Sequence, residues 1–413
     1  MKILFLTHYF YPEGNAPATR VYEMCKRWVT AGHEVTVITG VPNVPNGLVY
    51  DGYRNRWRQE EMVAGIRTIR VWTYIAANKG TCRRTLNYLS FMVSALGCGL
   101  RVERPDVVIA TSPQFFCGWA GVWVSRLRRW PFVLEIRDIW PESIVTVGAM
   151  SEGPAVSVLT RFARRMYSAA THIVTVGDGY KGELLTHGVP DDGISVVPNG
   201  VDRDLFAPRD TPNALISRYN LRGKFVCSYI GTIGMACGLE VVLRAASLLK
   251  AERRDDIVFL LVGDGALRED LQTQTRDRGL DNVIFAGRQD KNVIPDYIAS
   301  SDACLIHLRR RPLFRSVLPS KIFEAAAMRK PIILGLEGVA ADLITDARAG
   351  ICVEPESERQ LADAVMKLAD DPAMVLDLGG AAYDNIASQY DFDELARSYL
   401  GLLQQVVDET EDP

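Results

Sequence analysis

Continuous apolar runs alternate with stretches of helical periodicity through the first half of the chain. Such a run is typical of a strand that is buried on both faces of a parallel sheet. After the first run, apolar residues recur at helical spacing until Gly32, so the chain opens as strand, loop, helix and strand. That order implies a right-handed parallel crossover. We predict strands at residues 3–7, 34–39, 65–72, 106–111, 132–136, 172–176 and 194–197.

The alternation stops and then restarts in the second half. Residues 203–222 contain Pro208, Pro212 and scattered charges, and they have little apolar periodicity. Further strands are predicted at residues 225–230, 257–262, 283–286, 303–307, 332–334 and 351–353. Two successive sets of strand-helix units imply an α/β protein with two doubly wound domains that face each other across a cleft.

The end of the chain is predicted to be helical. After Glu356 the pattern is largely helical, and Gly379, Gly380 and Asp391 are the expected breaks. We therefore predict a first domain at 1–203, a second at 204–390, and a last helix at 391–413 that returns to the first domain.

Two stretches of the first half do not fit the simple alternation. Residues 42–58 are rich in Pro, Gly, Asn and Arg, which predicts a long mobile loop on the binding side of the sheet. Residues 86–100 form an apolar run flanked by arginines, and the run is shorter than the roughly 20 residues that span a bilayer. It predicts either a buried helix or a helix that also touches a membrane surface.

Composition limits the function classes. The chain has 413 residues, 23% of them charged, and a net charge of −3 without long basic runs, which argues against nucleic acid as the main partner. Its eight cysteines are scattered singly without a CxxC pair, and Lys2 is followed directly by a strand-like run. We interpret the cysteines as reduced core residues of a cytoplasmic protein without a signal peptide, and we expect no metal site.

One stretch of the second half predicts an anion site. Pro319 and Ser320 precede a run with apolar faces, so a loop becomes the first turn of a buried helix there. Helix N-termini favour anions, and Lys321 adds a full charge in that turn. Glu324, one turn later, would accept hydrogen bonds from sugar hydroxyls, so a nucleotide diphosphate fits both residues. The alternative interpretation is an ordinary capped helix.

Glycine-rich turns follow two of the predicted strands in the second half. Gly231, Gly234 and Gly238 follow the first of them, without the GxGxxG spacing of dinucleotide-binding turns. Gly263 and Gly265 follow the next. These turns lie where a phosphate would bind in a doubly wound sheet.

Polar residues follow strands of the first half as well. Gly14 and Asn15 lie beyond the first strand, and Arg20 enters the following helix; the alternative is a turn glycine with a solvated arginine. Arg137 and Asp138 come directly after the strand at 132–136, where Asp138 could hold or deprotonate an acceptor hydroxyl. The alternative there is a salt-bridged structural cluster.

These motifs together resemble a known family. The segments HYFYPEGNAPATR, SPQFF, IRDIWPES, VTVGDG, VVPNGVD, LVGDG and PSKIFEAAAMRKPI resemble the GT-B glycosyltransferases of family 4, in particular the bacterial subgroup that builds O-antigens and colanic acid. The resemblance covers nearly the whole chain. It implies two Rossmann-like domains and a retaining, metal-independent transfer of a sugar. The donor would lie in the C-terminal domain and the acceptor in the N-terminal one.

The resemblance also implies roles for particular residues, with Glu324 on the ribose and the Gly231 turn and Lys321 on the diphosphate. The candidate catalytic residues are Asp138, Lys321 and Glu324. The candidate donor-binding residues are Gly231, Thr232, Gly234, Gly263, Arg288, Pro319, Ser320, Lys321 and Glu324. The candidate acceptor-binding residues are Gly14, Asn15, Arg20, Ser112, Arg137 and Glu142.

The chain departs from the family pattern at three positions. Thr232 and Cys237 replace the common cations of the glycine-rich turn, and Ser316 replaces the first Glu of the Glu-x7-Glu pattern. The lost charge puts more weight on Lys321 and on the arginines at 309, 310, 311 and 315. No obvious histidine occupies the common catalytic position of the first domain.

The resemblance therefore predicts a hexosyltransferase at the inner face of the cell membrane. It would use a nucleotide-sugar donor, with UDP favoured over GDP and an N-acetylated or deoxy hexose among the candidate sugars, and a lipid-linked glycan acceptor. It would need no cofactor, metal or nucleic acid, and it would associate peripherally with anionic lipid. Two alternatives stay open: a GT-B sugar-nucleotide epimerase that uses no acceptor, and a non-catalytic nucleotide-sugar sensor.

Overall fold

The chain forms two compact units, one of residues 1–199 with 392–413 and one of residues 200–391. The computed structural model describes residues 1–44, 47–75, 81–112, 114–140 and 153–411. The units divide a few residues from the predicted boundaries at 203 and 390.

The first unit is built on an eight-stranded sheet in the order β3-β4-β2-β1-β5-β6-β7-β8. Its strands are parallel except for the antiparallel pair β3 and β4. They span Lys2–Leu6 (β1), Glu34–Thr39 (β2), Arg58–Val63 (β3), Ile66–Val71 (β4), Val107–Ser112 (β5), Phe132–Ile136 (β6), His172–Thr175 (β7) and Ile194–Val196 (β8). Its described helices span Ala16–Thr30 (α1), Thr81–Gly99 (α2), Phe115–Arg128 (α3), Pro154–Tyr167 (α4) and Asp178–Thr186 (α5).

The second unit is built on a six-stranded parallel sheet in the order β11-β10-β9-β12-β13-β14. Its strands span Phe225–Ile230 (β9), Ile257–Val262 (β10), Val283–Gly287 (β11), Ala303–His307 (β12), Ile332–Gly335 (β13) and Gly350–Cys352 (β14). Its helices span Asn213–Tyr219 (α6), Glu240–Ala251 (α7), Arg268–Asp277 (α8), Ile294–Ala299 (α9), Lys321–Ala327 (α10), Val339–Asp346 (α11), Glu358–Asp370 (α12) and Pro372–Ala382 (α13).

The last helix, Phe392–Glu411 (α14), packs against α1 of the first unit. Trp28 Nε1 donates to the carbonyl of Ala396 at 3.1 Å, and the Trp28 and Tyr399 rings meet edge to face at 5.3 Å. Both side chains are fully buried, so the end of the chain completes the core beneath the first sheet.

One detail of the sequence prediction was wrong, and the structure adds detail to two others. The described residues of 42–57 form a loop, as predicted, and only Arg58 belongs to β3. Within this loop, Asn55 exchanges hydrogen bonds of 2.7 and 3.2 Å with the backbone of Thr73. The predicted linker contains α6. Gly379 does not break a helix but lies inside α13, where its Cα packs so close to the carbonyl of Arg329 that a methyl group would overlap it.

Each sheet has one switch point, which is the place where the connections from two neighbouring strands run towards opposite edges of the sheet. The switch point lies between β1 and β5 in the first unit and between β9 and β12 in the second. Ligands of doubly wound proteins bind beyond the carboxyl ends of the strands at such points. Among the helices that the structure describes, none combines the length and apolar character needed to cross a membrane.

Candidate active site

A glycine turn leaves β9 at the switch point of the second unit. Gly231 N donates to the carbonyl of Val262 at 2.8 Å, and Ile233 N donates to that of Asp264 at 2.9 Å, so the turn is bonded to the loop after β10. Gly231 and Gly263 have φ values of 142° and 143°, in a region that other residues rarely adopt. A methyl group on Gly263 would overlap the carbonyl oxygen of Gly231. Glycine is therefore required in both loops.

Lys321 reaches this turn from the first residue of α10. Its Nζ donates to Tyr229 Oη at 2.9 Å and lies 4.0 Å from the centre of the Tyr229 ring. A methyl group on Gly231 would overlap the end of the Lys321 side chain, so the ammonium lies directly against the turn. Burial lowers the pKa of Lys321, while Cys237 and Glu324 act in the opposite direction. Within the described residues, no ion pair joins Lys321 to a carboxylate.

Tyr229 connects Lys321 to the backbone of the turn. Its hydroxyl donates to the carbonyl of Thr232 at 2.7 Å, and the Cys237 thiol donates to the same carbonyl at 3.2 Å. Tyr229 is 1% exposed, so its hydroxyl is held in one place. The two residues that replace the common family cations thus shape the turn through the Thr232 carbonyl and the Cys237 thiol.

Glu324 lies one turn along α10 from Lys321. Burial raises the pKa of Glu324, and Lys291 and Lys321 partly offset that effect. Both Lys321 and Glu324 line a cavity of about 20 Å³ between α10 and the sheet, next to Ser228. That volume has room for about one water molecule.

The loop before α10 is arranged differently from the expectation. Ser320 makes no side-chain capping bond, and α10 has only seven residues, so the helix N-terminus is a weak anion site by itself. Ser316 closes its own turn, because its hydroxyl donates to the carbonyl of Leu313 at 3.0 Å. The positive charge at the glycine turn comes instead from Lys321.

The arginines near this loop fall into two groups, those that form ion pairs with protein carboxylates and those whose side chains are exposed. Arg309 is bonded to Glu240 at 2.7 Å and to Glu356 at 3.0 Å, and Arg310 to Glu337 at 3.2 Å and to Glu354 at 3.0 Å. Arg311, Arg315 and Arg288 are exposed. The charges of Arg309 and Arg310 are therefore balanced by protein carboxylates.

In the first unit, Arg20 and Arg137 form a buried cluster with Glu135. Arg20 is 2% exposed, and it donates to Glu135 at 3.2 Å and to the carbonyls of Pro198 and Val197 at 2.6 and 2.8 Å. Arg137 lies 3.7 Å from Glu135, and burial lowers its pKa. Arg20 is buried and paired with Glu135, so the solvated-arginine alternative is wrong, while its contact with an acceptor stays a prediction. For Arg137, the pairing with Glu135 fits the salt-bridged structural alternative.

The other predicted acceptor residues are spread along the same sheet edge. Asn15 caps α1, since its Oδ1 accepts from Ala18 N at 2.9 Å, and Gly14 is exposed. Ser112 is 2% exposed at the end of β5, where its carbonyl accepts from Arg137 N at 3.1 Å. Asp138 is partly buried; burial, and then its charge, raises the pKa of Tyr180. Glu142 lies outside the described residues.

Two polar residues at these edges were missed by the sequence analysis. Glu13 is 5% exposed and accepts from the N–H groups of Asn43 and Val44 at 2.9 and 3.1 Å, and burial raises its pKa to about 7. His8 follows β1 against the Phe91 ring, and burial lowers its pKa to about 3. Neither residue belongs to a spacing pattern, so no sequence signal distinguished them.

No group of three or more His, Cys, Asp or Glu side chains is placed to hold a metal ion within the described ranges. Each unit thus has its own candidate site: a glycine turn with the half-buried Lys321 in the second unit, and a polar sheet edge in the first.

Two doubly wound sheets of this kind form the fold of GT-B glycosyltransferases, and solved structures with that fold match nearly the whole chain. Sucrose-phosphate synthase from Thermosynechococcus elongatus has a TM-score of 0.77 at 16% identity and covers 99% of both chains. Anabaena HepE, solved in complex with UDP and glucose, has a TM-score of 0.72 at 18% identity and covers 98% of this chain and 99% of its own.

Two family descriptions match consecutive parts of the sequence. Residues 15–200 match the glycosyl transferase 4-like domain, and residues 216–385 match the glycosyl transferases group 1 domain. The glycosyl transferase WcaI of Escherichia coli K12, whose name assigns it to colanic acid biosynthesis, is 27% identical over 377 residues, which is 88% of this chain and 91% of that protein. The chain belongs to the GT-B glycosyltransferases of family 4 type, and it is a glycosyltransferase. The predicted fold class and enzyme class are confirmed.

Proposed function

We propose that the protein is a retaining glycosyltransferase of surface polysaccharide biosynthesis that moves a hexose from a UDP-sugar to a lipid-linked glycan. It would need no metal and no cofactor beyond its nucleotide-sugar substrate. The observation that carries the donor part of the proposal is the Lys321 ammonium held against Gly231 by Tyr229. The names of WcaI and of the UDP-bound HepE support the glycan and nucleotide classes.

The chemistry follows from where charge develops. The bond between the sugar and the nucleotide diphosphate breaks, and negative charge grows on the leaving phosphate while the acceptor hydroxyl attacks the same carbon. A fixed ammonium at the glycine turn stabilises that charge more in the transition state than in the ground state. Glu324 would hold ribose hydroxyls, and Asp138 would orient the acceptor hydroxyl or take its proton.

Metal independence rests on the same arrangement. No Asp-x-Asp pair follows a strand on the proposed donor side, so Lys321 and the turn would meet the diphosphate charge. Transfer that EDTA abolishes and that magnesium or manganese restores would contradict this part of the proposal.

Membrane association is proposed for the face of the first unit that α2, α3 and α4 form. These helices carry exposed apolar side chains, and they contain arginines but no Asp or Glu. The helices touch, since α2 packs on α3 and the rings of Trp119 of α3 and Phe162 of α4 meet at 6.0 Å. We propose that this face meets anionic lipid, which would present the lipid-linked acceptor.

One assay tests the function against its two alternatives. Nucleotide release is measured from UDP- and GDP-sugars with and without a lipid-linked glycan. Release that requires the glycan supports a transferase. Conversion of the sugar without an acceptor would indicate an epimerase instead, and binding without turnover would indicate a sensor. Thermal unfolding first selects the nucleotide, because a ligand at about 100 times its dissociation constant stabilises a protein by about 2.7 kcal/mol.

A further inference from the structure

His307, the last residue of β12, is a buried histidine that no part of the proposed mechanism uses. It is 2% exposed and lies between two glycines. A methyl group on Gly335 would overlap its ring, and one on Gly238 would lie tightly against it. Two neighbouring backbones are thus without side chains where the imidazole lies, which indicates a place shaped for that ring.

The hydrogen bonds of His307 determine which nitrogen carries the proton. Glu356 N donates to Nε2 at 2.9 Å, and a backbone N–H can only donate. Nε2 is therefore the acceptor of a neutral ring. Nδ1, which lies 2.7 Å from the carbonyl oxygen of Cys237, must then be the protonated nitrogen that donates to it.

Two more bonds from the end of β12 hold the same turn. Arg309 N donates to the carbonyl of Ala236 at 2.9 Å, and Arg309 Nε donates to that of Met235 at 2.7 Å. With the His307 bond to Cys237, three consecutive carbonyls of the helical turn Met235–Cys237 are bonded from one side. The N–H groups of a helical turn point opposite to its carbonyls. In the part of the chain that the structure describes, the N–H groups of Gly234 and Met235 donate to no carbonyl.

Glu356, whose N–H donates to Nε2, holds the imidazole on the side away from the turn. Its backbone has a φ of 65°, which is uncommon for a residue other than glycine and persists where the surroundings hold it. Its carboxylate accepts from Arg309 Nη1 and from Arg310 N, each at 3.0 Å. The imidazole therefore connects a rigid loop to the glycine turn.

We propose that His307 is a positioning residue for the donor: its neutral, Nδ1-protonated ring holds the Met235–Cys237 turn so that the free N–H groups face the diphosphate beside Lys321. The inference rests on the proposed function, because it assumes that a nucleotide diphosphate binds at this turn. It explains how the turn binds an anion without the two cations that Thr232 and Cys237 replace.

Acid should weaken this arrangement. Protonation of Nε2 would make this nitrogen a hydrogen-bond donor. It would then face the Glu356 N–H, which is also a donor, and the bond between them would be lost. Burial lowers the pKa of His307, and the hydrogen bond to the Cys237 carbonyl and then the charge of Glu356 oppose this effect. Arg309 and Arg244 lower the pKa further, but each is paired with a carboxylate, of Glu240 and Glu358 respectively. The neutral ring is thus present at neutral pH, and nucleotide affinity should fall as the pH drops through a value below the ordinary histidine pKa of about 6.5.

Two single substitutions separate the bonds of His307. His307→Asn keeps a donor at the position of Nδ1 and should retain UDP affinity without the loss in acid. His307→Gln keeps an acceptor at the position of Nε2 but not the bond to the turn, and its UDP dissociation constant should rise about 5- to 10-fold, the value of about one hydrogen bond. Calorimetric titration with UDP at pH 8 and pH 5.5 measures both, and thermal unfolding of the same samples shows how much protein is folded.

The outcomes distinguish the inference from the function. A merely structural role would lower the unfolding temperature of both variants and leave the affinity of the folded fraction unchanged, which would overturn the inference. Equal affinities of the folded Asn and Gln variants would also overturn it. If neither UDP nor GDP binds the wild type, the proposed function fails, and the inference fails with it. In ¹⁵N-labelled wild type, which has five histidines, a His307 signal from an Nε2-protonated ring would overturn it without any variant.

Discussion

Lys321 obtains its role from the groups around it. Its ammonium is held by Tyr229, lies against Gly231 and has no ion-pair partner among the described residues, whereas the charges of Arg309 and Arg310 are bonded to carboxylates. An ammonium without a carboxylate partner can form an ion pair with a bound diphosphate, whereas a paired guanidinium is already neutralised. The sequence could therefore identify the lysine by its place before a helix, but only the structure separates it from the arginines.

Lys321→Ala is expected to reduce turnover by about 10²- to 10³-fold, the range for removing one electrostatic donor, and to weaken nucleotide binding less. The reason is that the charge it meets grows as the glycosidic bond breaks. Lys321→Arg should recover only part, because a planar guanidinium does not replace a point charge in a tight turn. Steady-state kinetics and titration with UDP measure the two effects.

Arg311→Ala and Arg315→Ala are the matched controls, because both side chains are exposed near the same loop. Near-normal turnover of Lys321→Ala together with lost turnover in these two would mean that arginines hold the diphosphate.

The activity of the wild type should also fall as the pH rises, with a midpoint below the ordinary lysine pKa of about 10.4. The reason is that burial lowers the pKa of Lys321, so its charge is lost at a lower pH than usual.

Other residues of the sites could not be placed from the sequence. Arg20 and Arg137 were correctly assigned to elements near the sheet edge, but side-chain direction decides that they pair with Glu135. Glu13 and His307 have no spacing pattern, and their importance comes from burial and from backbone groups far away in the chain. Such contacts depend on tertiary packing, which local patterns do not contain.

At the level of elements, the predicted strands were those with continuous apolar runs. Those strands lie inside parallel sheets, where both faces are buried. β3 was missed because it is an antiparallel edge strand whose RQEEMV residues alternate between exposed and half-buried positions, without an apolar run. The two adjacent glycines of α13 were wrongly predicted to break a helix. The prediction used only the low helix propensity of glycine, and not the tertiary packing around this helix.

Gly379 and Gly380 should respond to the same substitution with opposite signs. A methyl group on Gly379 would overlap the carbonyl of Arg329, whereas one on Gly380 meets nothing within 4 Å. Gly380→Ala should raise the free energy of unfolding by about 0.5–1 kcal/mol, because alanine favours the helix. Gly379→Ala should lower it by about 1–3 kcal/mol through overpacking. Denaturant unfolding of the two variants measures this, and changes of equal sign would contradict the helix packing described here.

On the scale of the whole molecule, charge is distributed unevenly. The chain has 50 acidic and 47 basic residues, so its net charge of −3 gives no general attraction to anionic lipid. Yet α2, α3 and α4 contain no acid, and their arginines lie beside exposed apolar side chains at Leu86, Val93, Trp123, Leu127, Val158 and Phe162. The sequence analysis had connected the apolar run at residues 86–100, which forms part of α2, with a membrane surface. α4 joins this face through the Phe162 ring, which packs against Trp119.

We expect the protein to float with vesicles that contain anionic phosphatidylglycerol at low salt, and to float less at high salt, because screening weakens surface electrostatics. Each basic residue near such a surface contributes about 1 kcal/mol. Replacing the three exposed arginines of α4 by glutamate should therefore reduce vesicle binding by about 100-fold or more. The three positions are Arg161, Arg164 and Arg165.

The matched control changes net charge equally in the second unit, with glutamate at the exposed Arg253, Arg276 and Arg278. If both triple variants lose vesicle binding to the same extent, the attraction depends on net charge and not on the face formed by α2, α3 and α4. If neither variant loses it, electrostatic attraction at that face is not what holds the protein to lipid. Loss in the α4 variant alone, with UDP affinity unchanged, would separate lipid binding from donor binding, because the glycine turn and Lys321 belong to the other unit.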